Sequence, residues 1–142
     1  MMDLPETMPT GDAGVYQLLI EVVRPVSMQV GALGECAFPA GRYVYCGSAQ
    51  RNLRARITRH CRKRKNRYWH IDYLLAHPAV RVIGVETFPG VKHEECDLVA
   101  RARRAGGRVV IRGFGAGDCP TKRTCGAHLI WLGAGPASQA VR

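Results

Sequence analysis

Glu95 precedes Leu98, Val99 and Ala102 by three, four and seven positions, which puts its carboxylate on the apolar face of an expected helix. A carboxylate so placed must be paired, protonated or bound to a cation. Arg56 and His60 stand four apart on one edge of another helix, beside a stripe of Leu53, Ile57 and Cys61. That border faces a cleft, where a guanidinium can hold a phosphate and an imidazole can bond a phosphate oxygen or assist proton transfer. Tyr16 and Tyr45 fall on segments that read as neighbouring strands, so their phenols can converge at one sheet end. Each has a plainer reading. Glu95 could meet an arginine in a salt bridge, Arg56 could be one cation among many, and hairpin tyrosines often pack across strands. Together these types supply what phosphodiester hydrolysis needs: an activated water, positive charge on the phosphoryl oxygens, and a stabilised leaving oxygen.

The charge balance points to a polyanionic partner. The 142 residues carry 21 Lys and Arg against 11 acidic residues, a formal net charge of +10. Nine of the bases fall between Arg51 and Arg67 with no acid among them: Arg51, Arg54, Arg56, Arg59, Arg62, Lys63, Arg64, Lys65 and Arg67. A solvated helix face usually mixes signs, so a one-sign stretch of this density favours a phosphate-contacting surface. Ser48, in the turn after the second strand, joins this surface, as do Trp69 and His70. Trp69 can pack in the core or stack on an unpaired base, and His70 can contact phosphate or be a plain core or surface histidine.

Soft ligands form a second group. Cys119, Cys125 and His128, with Cys96 beside Glu95, suit a closed structural zinc site of Cys3His composition; packed free thiols are the alternative. The six cysteines, in a chain whose first residues lack a signal-peptide pattern, argue against a disulfide framework. No apolar run is long enough to span a bilayer, so no membrane partner is expected. The composition, 46% hydrophobic and 23% charged, excludes wholesale disorder.

The elements that must position these groups are legible from period and punctuation. Residues 14–23 and 42–46 read as two strands of an antiparallel pair with a long Gly-punctuated connection. A basic amphipathic helix starts at Leu53, and a short second helix spans Tyr68 to Ala76. Val80 to Glu86 is a third strand, and Glu94 to Ala105 a helix closed by Gly106-Gly107. Val109 to Ile111 and His128 to Leu132 are short strand candidates. Because the first two strands meet directly, the class is α+β. Residues 1–12 and 133–142 read as loose tails around one domain at 13–132.

Gly14-Val15-Tyr16 on the first strand, Tyr45-Cys46-Gly47 ending the second, the turn Gly47-Ser48-Ala49, a helix with Arg56 and His60, and a later helix with Glu95 resemble the GIY-YIG nuclease superfamily. The resemblance spans Gly14 to Gly107. Arg59-His60, Tyr68 to Leu75, Glu95-Cys96, Gly113-Phe114-Gly115, Asp118-Cys119 and Cys125-x-x-His128-Leu129 are similar to one branch of it. That branch consists of small proteins found alone or fused to a helix-hairpin-helix DNA glycosylase. The sequence departs from the pattern at Cys46, where an aliphatic residue is usual, and at the longer insert Pro120 to Thr124. Cys46 is expected to be a small buried side chain.

The resemblance implies a core at 14–107 with a small three-stranded, mostly antiparallel sheet flanked by helices. It adds a C-terminal extension at 108–132 that carries the Cys/His group. It also implies an endonuclease in which Glu95 holds one divalent ion, Mg²⁺ or Mn²⁺. One tyrosine positions or deprotonates the attacking water or relays its proton, while the other orders the site. By analogy with the fused relatives, the substrate is DNA that is damaged, abasic or structured. A DNA-repair glycosylase is then a partner, and the location is cytoplasmic and nucleoid-associated. Two other readings stand beside it: a nucleic-acid-binding module without chemistry, and an RNA-processing nuclease.

Overall fold

In the computed structural model, which describes residues 10–116 and 125–134, the chain runs β1 (Gly14–Val22), β2 (Val26–Gln29), β3 (Glu35–Phe38), β4 (Gly41–Ala49), α1 (Leu53–Cys61), α2 (His70–Leu75), β5 (Val80–Phe88), α3 (Glu94–Arg104), β6 (Arg108–Val109) and β7 (Leu129–Gly133). The class is α+β. The three strands expected of the core lie together as β5-β1-β4, but the sheet is five strands wide, not three, because β7 pairs with the free edge of β4 and β6 with β7. The covered edge satisfies backbone groups that β4 would otherwise leave open. Every pairing is antiparallel. The connection between β1 and β4 is not a plain loop either: β2 and β3 form a separate two-stranded sheet.

Strand alternation sends side chains to two layers. Tyr16, Leu18 and Ile20 of β1 and Tyr43 and Tyr45 of β4 face α1 and α2, where Leu53, Ile57, Ile71 and Leu74 complete the larger cluster. Val15, Val44 and Cys46 face the other way, toward Leu98 and Val99 of α3, Cys125 and Ile130. Cys46 is fully buried, as its small size allows.

Helix ends are fixed by residues distant in sequence. The carboxylate of Asp12 accepts the backbone N–H of Arg54 at 3.0 Å, so it caps α1 from the segment before β1. Asp72, fully buried in the first turn of α2, accepts the N–H groups of Tyr68 and Trp69, both at 2.8 Å, and a two-pronged bond from Arg59 at 2.8 and 3.0 Å. Burial pushes the Asp72 carboxyl up, but these donors outweigh it and hold the group below its ordinary range. Asp72 thereby ties α1 to α2 and fixes Trp69. No helix of the described residues is long and apolar enough to cross a membrane.

Candidate active site

β1 and β4 pair with Tyr16 opposite Gly47 and Tyr45 opposite Leu18, so both tyrosines lie on the α1 side of the sheet near one end. There they floor a cleft of about 410 Å³. From the α1 side it is walled by Arg56, Tyr68, Trp69 and His70; from the α3 side by Ser48, Lys92, Glu95 and His128. The cleft therefore sits where the two layers meet around the strand ends.

Close backbone approaches seat the two phenols. A side chain at Gly47 would come within 2.6 Å of the Tyr16 ring and hydroxyl, and one at Gly115 (φ +70°) within 2.8 Å of the Tyr45 ring. Only glycine leaves those spaces to the tyrosines. Burial pushes the Tyr16 phenol well above its ordinary value, and the neighbouring Arg56 charge offsets this only in part. Burial also raises Tyr45. Both phenols are thus protonated at neutral pH.

His60 lies elsewhere than its spacing suggested. The inward face of α1 is Leu53, Ile57 and His60, with Cys61 only half-buried, so the imidazole turns into the core and not to the cleft border. It sits behind Tyr16, with Nε2 2.8 Å from the phenol oxygen, among the rings of Tyr16, Tyr45 and Trp69. Burial first, and then the Lys65 charge, lower its pKa to about 3, so it is neutral. Among the described residues, Nδ1 is buried without a partner. An orphaned acceptor costs less than an orphaned N–H, which assigns the proton to Nε2 and makes His60 the donor to Tyr16. The Tyr16 hydroxyl then keeps its own proton to offer to the cleft.

Arg56 stays at the border. Its guanidinium donates to the carbonyl of Ser48 at 2.7 Å and lies over the Trp69 ring at 4.8 Å. The Ser48 hydroxyl donates to Glu95. Ser48, next to last in β4, therefore links the arginine of one layer to the carboxylate of the other. Glu95 is 12% exposed, with His128 Nδ1 3.5 Å from its second oxygen. Ser48 and His128 are thus among its neighbours. Glu94 turns away and accepts the N–H of Val91.

The basic run divides. Among its nine residues Arg56 alone lines the cleft. Arg59 is committed to Asp72. Lys63 donates to the carbonyls of Leu75, His77 and Val80, and Lys65 to those of Arg59 and His60, so both tie off the ends of helices. Burial lowers both lysines, Lys65 to about 8. Arg51, Arg54, Arg62, Arg64 and Arg67 remain exposed. Trp69 has guanidinium groups from Arg56 and Arg59 over its ring and is only partly exposed, so it supports the site more than it presents a free face. His70 accepts the N–H of Gly115 through Nδ1 at 2.9 Å, which leaves Nε2 as a donor.

Three cleft residues carry little or no signal in the sequence. Tyr68, 78% exposed and edge-on to Trp69, is marked only as the first residue of the Tyr68-to-Leu75 resemblance. Lys92 lies one helical turn before Glu95, a spacing that could have flagged it. Gly115 is marked only by its place in the Gly113-Phe114-Gly115 resemblance.

Behind Glu95, the ligand atoms of Cys96, Cys125 and His128 lie within 4.8 Å of one another, a group able to hold a metal ion. Cys119, expected with them, lies outside the described residues, as do positions 1–9 and 135–142 of the expected tails. Gly133, counted with the tail, pairs with Arg42 in the sheet.

The profile of the family described as "Domain of unknown function DUF123" matches residues 15–141. The chain belongs to that family. The matched span of this DUF123 domain contains every cleft residue, from Tyr16 to His128. No curated protein and no solved structure matches it.

Proposed function

We propose that this DUF123 domain is a GIY-YIG-type endonuclease that hydrolyses phosphodiester bonds in DNA with one divalent ion, Mg²⁺ or Mn²⁺. The observation that carries the reading is the meeting of two protonated phenols, a guanidinium and a largely buried carboxylate in one cleft. The donors fit the ion. A single carboxylate in a water-accessible cleft suits a hard cation that keeps most of its waters. Glu95 would hold such an ion, which would supply a Lewis acid to activate water and positive charge to offset that on the phosphoryl oxygens. Arg56, fixed by the Ser48 carbonyl, holds the scissile phosphate. Tyr16, oriented from behind by His60, offers its hydroxyl to the attacking water or passes a proton on. Tyr45 orders the floor, and Lys92 adds positive charge from the opposite wall. The thiols and imidazole of Cys96, Cys125 and His128 suit zinc in a structural role.

The largely exposed ring of Tyr68 at the cleft mouth is suited to stack on an unpaired base. This favours abasic, damaged or branched DNA over an intact duplex, and a place in repair beside a glycosylase. The test is cleavage with and without Mg²⁺ or Mn²⁺ across intact, nicked, abasic, oxidised-base and branched DNA, with matched RNA. Metal-dependent cleavage lost in Glu95→Gln and Arg56→Ala is the expected result. Cleavage unchanged in both variants refutes the site. Salt-sensitive binding without any cleavage establishes a binding module instead, and preference for RNA establishes the processing nuclease.

A further inference from the structure

His128 stands between two candidate metal sites of opposite character. Its Nε2 is 3.9 Å from Cys96 Sγ, within the group that includes Cys125, while its Nδ1 is 3.5 Å from Glu95 Oε1. The imidazole is 2% exposed and Cys125 5%; Cys125 belongs to the smaller core cluster and Cys96 packs against it. In a tetrahedral zinc site, with Zn–S near 2.3 Å and Zn–N near 2.0 Å, donors stand roughly 3.5–3.8 Å apart. The three donors here need to close by only a fraction of an ångström to about one ångström. They come from three places, the first turn of α3, the residue before the β7 approach and the approach itself, so an ion among them would pin α3 to the sheet.

We infer that zinc bound by Cys96, Cys125 and His128 sets the position of Glu95 through His128, so that the soft site governs the hard one. This rests on the reading of Glu95 as the ligand of the hydrolytic ion. With Nε2 on zinc, the imidazole proton must sit on Nδ1, which faces Glu95. The Ser48 hydroxyl and His128 Nδ1–H then both donate to the carboxylate, one to each oxygen. Two thiolates cancel the zinc charge, so the nearby divalent ion meets no net repulsion. Cys96 follows Glu95 directly, which makes the same helical turn carry a ligand for each metal.

The test measures metals without DNA. Zinc content is determined on the purified chain, Co²⁺ is substituted to look for thiolate-to-metal charge transfer, and Mn²⁺ binding is followed by electron paramagnetic resonance before and after zinc is stripped with a chelator. One zinc per chain, cobalt–thiolate bands, and an approximately tenfold weaker Mn²⁺ site after stripping are expected. Linkage demands the same factor in reverse, with Mn²⁺ tightening zinc. Cys125→Ser should reproduce the stripped state and Cys46→Ser should not; the spectroscopy on the unmodified chain decides the matter if Cys125→Ser does not fold. No zinc and no cobalt–thiolate band overturns the inference, as does Mn²⁺ affinity indifferent to zinc. Mn²⁺ binding unaltered by Glu95→Gln takes down the hydrolytic reading and the coupling together, whereas a Glu95-dependent Mn²⁺ site that ignores zinc takes down the coupling alone.

Discussion

Tyr16 and Gly47 face each other across the β1–β4 ladder, and the phenol of one occupies the volume that a side chain on the other would need. Gly47→Ala must therefore push the ring off His60 and out of the cleft floor. The expected loss of stability is about 1–3 kcal/mol, the usual scale of overpacking. The loss of cleavage should be much larger, because the Tyr16 hydroxyl leaves its place. Urea unfolding and single-turnover cleavage measure the two separately. Wild-type cleavage by a folded Gly47→Ala chain would show that Tyr16 has no part in the reaction.

His60 makes stability depend on acid. Its folded pKa is about 3 against an ordinary 6.5, so between those values the unfolded chain binds one more proton than the folded one. Stability is therefore full above about pH 6.5 and falls as the pH drops toward 3, by up to about 1.4 kcal/mol per pH unit from this group. Burial lowers His128 as well, which adds a slope of the same sign. In His60→Gln the slope over this window should flatten by one proton, whatever the absolute stability. Urea titrations at a series of pH values read the slope directly, and an unchanged slope contradicts a buried neutral His60.

Exposed and committed bases should behave differently toward DNA. Gln at Arg51 and Arg54, both exposed near the start of α1, should weaken binding and reduce the salt slope by up to about 0.9 for each phosphate no longer neutralised. Lys63→Gln should lower stability and leave the slope alone, because its ammonium is spent on three carbonyls. Fluorescence anisotropy over a salt series distinguishes them. Equal slopes for all three variants would mean that the run acts as one undivided patch.

Tyr68→Ala removes the exposed ring at the cleft mouth. Binding to DNA with an unpaired or abasic position should weaken by about 1–3 kcal/mol, and binding to intact duplex should change little. A uniform loss on both would assign Tyr68 to packing against Trp69.

What the sequence made legible was what depends on local pattern. The β1 alternation, the Leu53–Ile57 stripe and the Gly106-Gly107 stop each carry their own period or punctuation, and β1, α1 and α3 lie where these placed them. β2 and β3 are hidden in the sequence because four residues give too little alternation to stand out from a glycine-rich loop. The widening of the sheet by β7 depends on a long-range pairing that no local signal reports. At the site, Arg56 and Glu95 are placed by helical spacing. His60 differs from its expected place by one step of the helical wheel, since an imidazole with a phenol partner can replace Cys61 in the inward row. The cap by Asp12 and the three hydrogen bonds of Lys63 are invisible for the same reason as β7: their partners are far along the chain.

The cleft draws on both layers of the sheet and on residues from Tyr16 to His128. A chain still emerging from the ribosome has its tyrosines, its arginine and its carboxylate long before β7 arrives to bring His128 behind Glu95. The cleft lining is thus complete only once β7 and the residues before it have been made.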